Sequence, residues 1–202
     1  KDTAKNEKIL WNQIKSGEIG TLYLFYGPEE YLKRNYAKQI EKTLLEKEFL
    51  LMNRIVLNGI ADPSAIIDNC RTLPVFSDRK IVIVKNSGLF KGAKKSADNE
   101  LTEFLKDIPE HVCLIFIEDE IDKRIKLVDL IKTKGLIVEF DYKKPDELAT
   151  WVMRRLKELG YETEPKTAAM IVEYCESGMD HILNELKKLC AYAGDRKLIT
   201  EQ

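Results

Sequence analysis

The chain has 202 residues, 44% of them hydrophobic and 33% charged, with a formal net charge of -1. That length fits one large domain or two small ones with a real core and a helix-rich, well-solvated surface, and the near-neutral balance excludes broad electrostatic wrapping of nucleic acid while leaving room for a local basic patch. Having only two histidines, His111 and His181, excludes a His-rich metal site, and the four cysteines (Cys70, Cys113, Cys175, Cys190) form no CxxC pair and sit in apolar runs, as buried free thiols do.

No apolar stretch reaches membrane-spanning length, and residues 1–6 carry no signal-peptide pattern, so a soluble, cytoplasmic protein is expected. The chain does not begin with Met, and Leu198-Ile199-Thr200-Glu201-Gln202 reads as the start of another helix, as in a fragment of a longer protein.

In chain order, a helix is expected over 7–15, with Ile9, Leu10 and Ile14 on one face, then a strand over 21–26. Leu32, Tyr36, Ile40 and Leu44 recur every four residues and predict a long amphipathic helix over 29–47. A second strand covers 52–57. Asp62-Pro63 is an N-cap followed by proline at the first helical position, and the helix it opens carries Ile66, Ile67 and Cys70. Ile81-Val82-Ile83-Val84 is a continuous β-branched run, the pattern of a strand covered on both faces. A polar, lysine-bearing stretch over 85–99 and a short helix with Leu101, Phe104 and Leu105 follow. Then come a fully apolar strand over 112–117, a helix over 125–132, and a strand over 136–140.

This alternation predicts an α/β fold: a parallel sheet of about five strands with helices on both faces, over residues 1–141. Beyond Asp141 the character changes and no strand-like run recurs. Helices are expected from Pro145 (Leu148, Trp151, Val152, Leu156), from Pro165 (Ala168, Ala169, Ile171, Val172) and over 179–192 (Ile182, Leu183, Leu186, Leu189), the last stopped by Gly194. A small all-helical domain is therefore expected over 142–202.

The strand Leu22-Tyr23-Leu24-Phe25-Tyr26 runs into Gly27 and then Pro28-Glu29-Glu30-Tyr31-Leu32-Lys33-Arg34. A working phosphate loop reads glycine, four residues, then Gly-Lys-Ser/Thr. Gly27 and Lys33 stand at that spacing, but Leu32 replaces the second glycine and Arg34 replaces the magnesium-binding hydroxyl. Glu29 and Glu30 place negative charge where an anion would sit. Read alone, Gly27 is equally an ordinary strand-ending glycine. An ATPase also needs acidic residues after the third strand, to hold magnesium and activate water. Lys85 and Asn86 stand there instead. Glu118-Asp119-Glu120, after the next strand, reads as a solvated acidic turn at the wrong sheet position for the metal. No GxSxG turn exists, and Asp180 beside His181 reads as a surface pair. No catalytic constellation, cofactor site or metal site is expected.

Thr72-Leu73-Pro74-Val75-Phe76-Ser77-Asp78-Arg79-Lys80 runs straight into Ile81-Val82-Ile83-Val84. This tract resembles the delta subunit family of the bacterial DNA polymerase III clamp loader. The run from Leu22 to Leu32, with its spoiled phosphate loop, is similar to that family's start. Trp151 and Asn184-Glu185-Leu186-Lys187-Lys188-Leu189 are further matches, so the similarity covers essentially the whole chain. The resemblance implies an AAA+-like first domain over 1–141, a helical lid-type domain over 142–202, and a C-terminal collar domain that would follow. It implies a non-catalytic subunit that binds the ring-shaped sliding clamp (the beta subunit) and opens it for loading onto primed DNA during replication. Such a subunit works within a DNA polymerase holoenzyme while other subunits hydrolyse ATP. Partners implied are the clamp, the gamma/tau and delta prime subunits mainly through the collar, and primed DNA weakly or only in the assembled complex, with no membrane.

In that family a hydrophobic pair after a helix enters a pocket on the clamp. Here the pair maps to Val75 and Phe76, with Leu73 and Pro74 adjoining; Val75 departs from the usual leucine or aromatic. Periodicity alone also allows Val75 and Phe76 to be a helix-to-strand turn packed into the core. Lys85, Lys91, Lys94 and Lys95 form a basic loop that reads as solvated or as a phosphate contact. Two other functions stay open: a nucleotide-binding P-loop or AAA+ ATPase with an unusual loop, and a helical adaptor for another protein partner.

Overall fold

The computed structural model describes residues 2–59, 62–91, 99–175 and 178–200. The chain forms two compact units, one of residues 1–28 with 33–140 and one of residues 29–32 with 141–202.

In the first unit, α1 (Asp2–Ser16), β1 (Leu22–Tyr26), α2 (Glu30–Leu44, shared at its start with the second unit), α3 (Leu50–Asn53), β2 (Arg54–Asn58), α4 (Pro63–Arg71), β3 (Lys80–Lys85), α5 (Asn99–Lys106), β4 (Val112–Glu118), α6 (Lys126–Lys134) and β5 (Leu136–Glu139) follow one another. The strands form one parallel sheet in the order β2-β3-β4-β1-β5. Every residue of β1 and β4 is buried, as are Lys80 to Val84 of β3, whereas the edge strands β2 and β5 are only partly covered. This is why the central strands read as unbroken apolar runs: a parallel sheet needs crossover helices, and these cover both faces.

On one face Leu22, Leu24, Val82, Val84, Leu114 and Phe116 meet the buried side chains of α4, α5 and α6. On the other, Phe25 meets Phe140 edge-on at 5.4 Å, and Tyr36 of α2 stacks on Phe140 at 5.2 Å. The Tyr23 hydroxyl donates to Gln13 of α1 at 3.0 Å. Asp62 caps α4 as expected, accepting from the Ser64 N–H at 3.1 Å ahead of Pro63.

The second unit holds α7 (Pro145–Glu158), β6 (Glu162–Thr163), α8 (Pro165–Tyr174), α9 (Met179–Ala193), a 3-10 turn over Gly194–Arg196, and β7 (Leu198–Ile199). Leu148, Trp151, Val152 and Leu156 of α7 are buried, as are Ile182, Leu186 and Cys190 of α9. Tyr31 meets Trp151 edge-on at 5.4 Å.

The expected all-helical character needs correction here. Leu198-Ile199 does not open a helix but pairs in parallel with Glu162-Thr163. Lys197, at φ 51, turns the chain after the 3-10 turn, and its carbonyl accepts the Glu162 N–H at 2.8 Å. A two-residue strand has no periodicity to read, so only the long-range pairing defines it. Similarly, α3 takes in Met52 and Asn53, which read as the first residues of the second strand over 52–57, and β2 begins only at Arg54. Among the described residues no helix is long and apolar enough to cross a membrane.

Candidate functional site

The C-terminal ends of β1, β3 and β4 are where an open α/β sheet offers a ligand crevice. Gly27 leaves β1 there with φ 114, and a Cβ on it would lie 2.4 Å from the Phe140 carbonyl oxygen. Glycine is therefore required for close backbone passage. Its N–H donates to the Asp119 carbonyl at 3.1 Å. Lys33 is fully buried, and its Nζ donates to the Glu118 carbonyl at 3.0 Å and to Asp119 Oδ1 at 3.3 Å. The Gly27 N–H and the Lys33 ammonium are the kinds of donor that would grip a phosphate, and both are directed at the turn after β4.

That turn is not simply solvated, contrary to expectation. Glu118 is buried, and its Oε1 accepts from the Ser87 N–H at 2.9 Å and the Ser87 hydroxyl at 2.6 Å. Burial raises the Glu118 carboxyl above its ordinary value, although both Ser87 bonds pull it down. Asp119 is half exposed and Glu120 is exposed.

Within the second unit, Glu29 is also buried. Its Oε1 accepts from the Tyr31 N–H at 3.2 Å and its Oε2 from the Met179 N–H at 3.1 Å, at the start of α9. A carboxylate at a helix N-terminus satisfies an otherwise orphaned donor. Burial raises this carboxyl too, against the lowering effect of the Met179 and Tyr31 bonds.

The opposite end of the sheet, where the chain enters β2 and β3, carries the other candidate residues. Leu73 is 74% exposed, Val75 41% and Phe76 80%, and Pro74 is half-buried. Phe76 is not a core residue. Its φ of 53 is a left-handed conformation that costs a non-glycine residue about 1 kcal/mol or more. Its ring lies 6.1 Å from that of Phe49, and both line an open groove with Leu44 and Asp78.

This loop is pinned at three places. Lys80, buried at the start of β3, donates from Nζ to the Asn69 carbonyl at 2.7 Å and to the carbonyl and hydroxyl of Thr72, closing the C-terminal end of α4. Burial lowers the Lys80 ammonium below its ordinary value. Arg79 donates to the carbonyls of Ile19 (2.6 Å), Gly20 (2.9 Å) and Val112 (3.1 Å). Asn53, fully buried at the end of α3, bonds both backbone groups of Val75. Beside it, Leu51 is 93% exposed and Met52 is 51% exposed. Sequence reasoning missed Asn53, Leu51 and Met52. The available signal was a lone amide ending the apolar run Phe49-Leu50-Leu51-Met52, hidden by reading Met52 as strand.

Of the basic loop, Lys85 is half-buried and Lys91 exposed, while Lys94 and Lys95 lie outside the described residues. Among the described residues no cluster of His, Cys, Asp or Glu could hold a metal ion. His181 is exposed on α9, Cys70, Cys113 and Cys190 are buried, and Cys175 is half-buried.

A family model described as DNA polymerase III, delta subunit, matches residues 23–141, more than half of the chain. The chain belongs to the DNA polymerase III delta subunit family. It is 27% identical over 204 residues to the Bacillus subtilis (strain 168) DNA polymerase III subunit delta, covering 95% of this chain and 57% of that protein. Its structure is similar to that of the Bacillus subtilis DNA clamp loader delta protein, with a TM-score of 0.71, 25% identity, and coverage of 95% of this chain and 59% of that one. The chain thus spans less than two thirds of the length of these delta relatives. The Thermotoga maritima RuvB Holliday junction branch migration motor is similar in fold alone, with a TM-score of 0.60, 17% identity, and coverage of 98% of this chain and 64% of that one. That likeness agrees with the AAA+-like sheet expected for a delta subunit.

Proposed function

We propose that this delta-family chain carries the clamp-docking part of a non-catalytic clamp loader subunit, which binds the sliding clamp and weakens the closed ring for loading onto primed DNA. The observation that carries this reading is Phe76, 80% exposed in a strained backbone conformation on a loop pinned from three sides. An apolar side chain held out to solvent on a rigid support fits insertion into a partner's pocket, because little ordering entropy is lost on binding. Leu73, Pro74 and Val75 adjoin it, and Leu51 and Met52 extend the apolar surface.

The phosphate-loop position supports the non-catalytic half of the proposal. The Gly27 N–H and the Lys33 ammonium are directed at Asp119 and Glu118, and Leu32 and Arg34 replace the residues that would admit phosphate and hold magnesium. ATP turnover then belongs to other subunits, and the contacts to gamma/tau, delta prime and primed DNA belong to the assembled loader.

Two measurements on the protein test this. Surface plasmon resonance over immobilised cognate sliding clamp should give saturable binding, and its absence sinks the docking role. Calorimetry with magnesium-ATP should give no micromolar binding; a saturable micromolar isotherm would favour the nucleotide-using alternative.

A further inference from the structure

Asn53 directs its whole side-chain amide at backbone. Its Nδ2 donates to the Phe49 carbonyl at 3.0 Å and to the Val75 carbonyl at 2.8 Å, and its Oδ1 accepts the Val75 N–H at 2.7 Å. The two bonds to Val75 close a ring, the same exchange of N–H and C=O that a facing residue makes in an antiparallel ladder. Among the described residues no strand pairs with residues 73–78, and Pro74 has no N–H to offer, so a buried side chain takes the place of a strand partner. Phe76, the next residue, sits at φ 53, a conformation that persists only where the surroundings impose it. Asn53 is the last residue of α3, so its bonds to Val75 tie α3, with exposed Leu51 and Met52, to the loop carrying Leu73 and Phe76, while the bond to Phe49 closes back on the start of α3 itself.

We infer that Asn53 is a positioning residue for clamp docking: it holds the 72–79 loop in its docking conformation and joins α3 to it as one apolar surface. This rests on the docking role proposed above. Asn53 itself is fully buried and would touch no partner. It acts by removing loop disorder that would otherwise have to be lost on binding.

The test uses Asn53→Leu, which keeps the branched four-atom side-chain shape and removes all three bonds, and Asn53→Asp, which keeps the acceptor for the Val75 N–H. Affinity for immobilised sliding clamp is measured beside amide hydrogen exchange. Asn53→Leu is expected to weaken binding about tenfold or more and to speed exchange at Val75 and Phe76, while the Ile81–Val84 amides of β3 stay as slow as in the parent. Asn53→Asp turns an acceptor oxygen toward the Phe49 and Val75 carbonyls in place of the donor, so it too should weaken binding and speed exchange at Val75. Phe76→Ala, run in parallel, separates the claims. If Phe76→Ala binds like the parent, the docking role itself fails. If Phe76→Ala is weakened but Asn53→Leu binds normally with a fast-exchanging Val75 amide, only the positioning role is overturned. If Asn53→Leu does not fold, Asn53→Asp decides, and parental affinity together with accelerated Val75 exchange overturns the inference.

Discussion

Truncating Phe76 to alanine tests whether this side chain serves a partner or the fold. An aromatic side chain has about 200 Å² to bury. With Phe76 80% exposed, the free protein covers only about a fifth of that, worth about 1 kcal/mol at ~25 cal/mol/Å². Alanine keeps the left-handed backbone at this position, so the strain is largely unchanged. For a chain of this size the melting temperature should fall by about 2–4 °C. Docking into an apolar pocket would cover the remaining ~160 Å², an upper bound of about 4 kcal/mol by the same coefficient. Ordering and imperfect fit reduce this, and a buried aromatic anchor typically contributes ~2 kcal/mol or more. Phe76→Ala should therefore weaken clamp binding roughly thirtyfold, and at least tenfold. The assay pairs a circular dichroism melt with surface plasmon resonance over immobilised clamp. A melting loss well beyond ~4 °C would make Phe76 a packing residue. Unchanged affinity would refute the anchor.

Gly27→Ala places a Cβ 2.4 Å from the Phe140 carbonyl at φ 114, so a loss of about 3 kcal/mol or more is expected in urea unfolding. A variant as stable as the parent would mean that the β1–Phe140 approach is looser than the structure has it. Glu118 yields a pH prediction. Its carboxyl is raised by burial on folding, so its contribution to stability is greatest at acid pH and declines as pH climbs from the unfolded value to the folded one. Glu118→Gln keeps the Oε1 acceptor for Ser87 and removes the titration. Its stability should vary less with pH over that window and match or exceed the parent's at neutral pH; a clear loss at neutral pH would show that the carboxylate charge is needed there.

Local chemistry made much of this molecule readable from its residues. The unbroken runs Ile81-Val82-Ile83-Val84 and Val112-Cys113-Leu114-Ile115-Phe116-Ile117 announced central strands, because a parallel sheet covered by crossover helices has no solvent face to mark with polar residues. Asp62-Pro63 announced a helix start for the equally local reason that a carboxylate can satisfy an orphaned N–H. Leu73, Pro74, Val75 and Phe76 before β3 were marked as a candidate anchor by the tract's resemblance to the delta family and not by local chemistry.

What sequence pattern left open depended on distant partners. Phe76 could have been core or surface, and only folding left it exposed, since hydrophobicity does not encode direction. Lys33 kept a phosphate-loop spacing, but its ammonium meets groups 85 and 86 residues away. Asn53 and Val75 are 22 residues apart, and the pairing of Glu162-Thr163 with Leu198-Ile199 spans 36. Periodicity reports a segment's own faces. Which buried polar group satisfies which backbone donor is decided only when the chain closes on itself, because each such group must find a partner once water is gone.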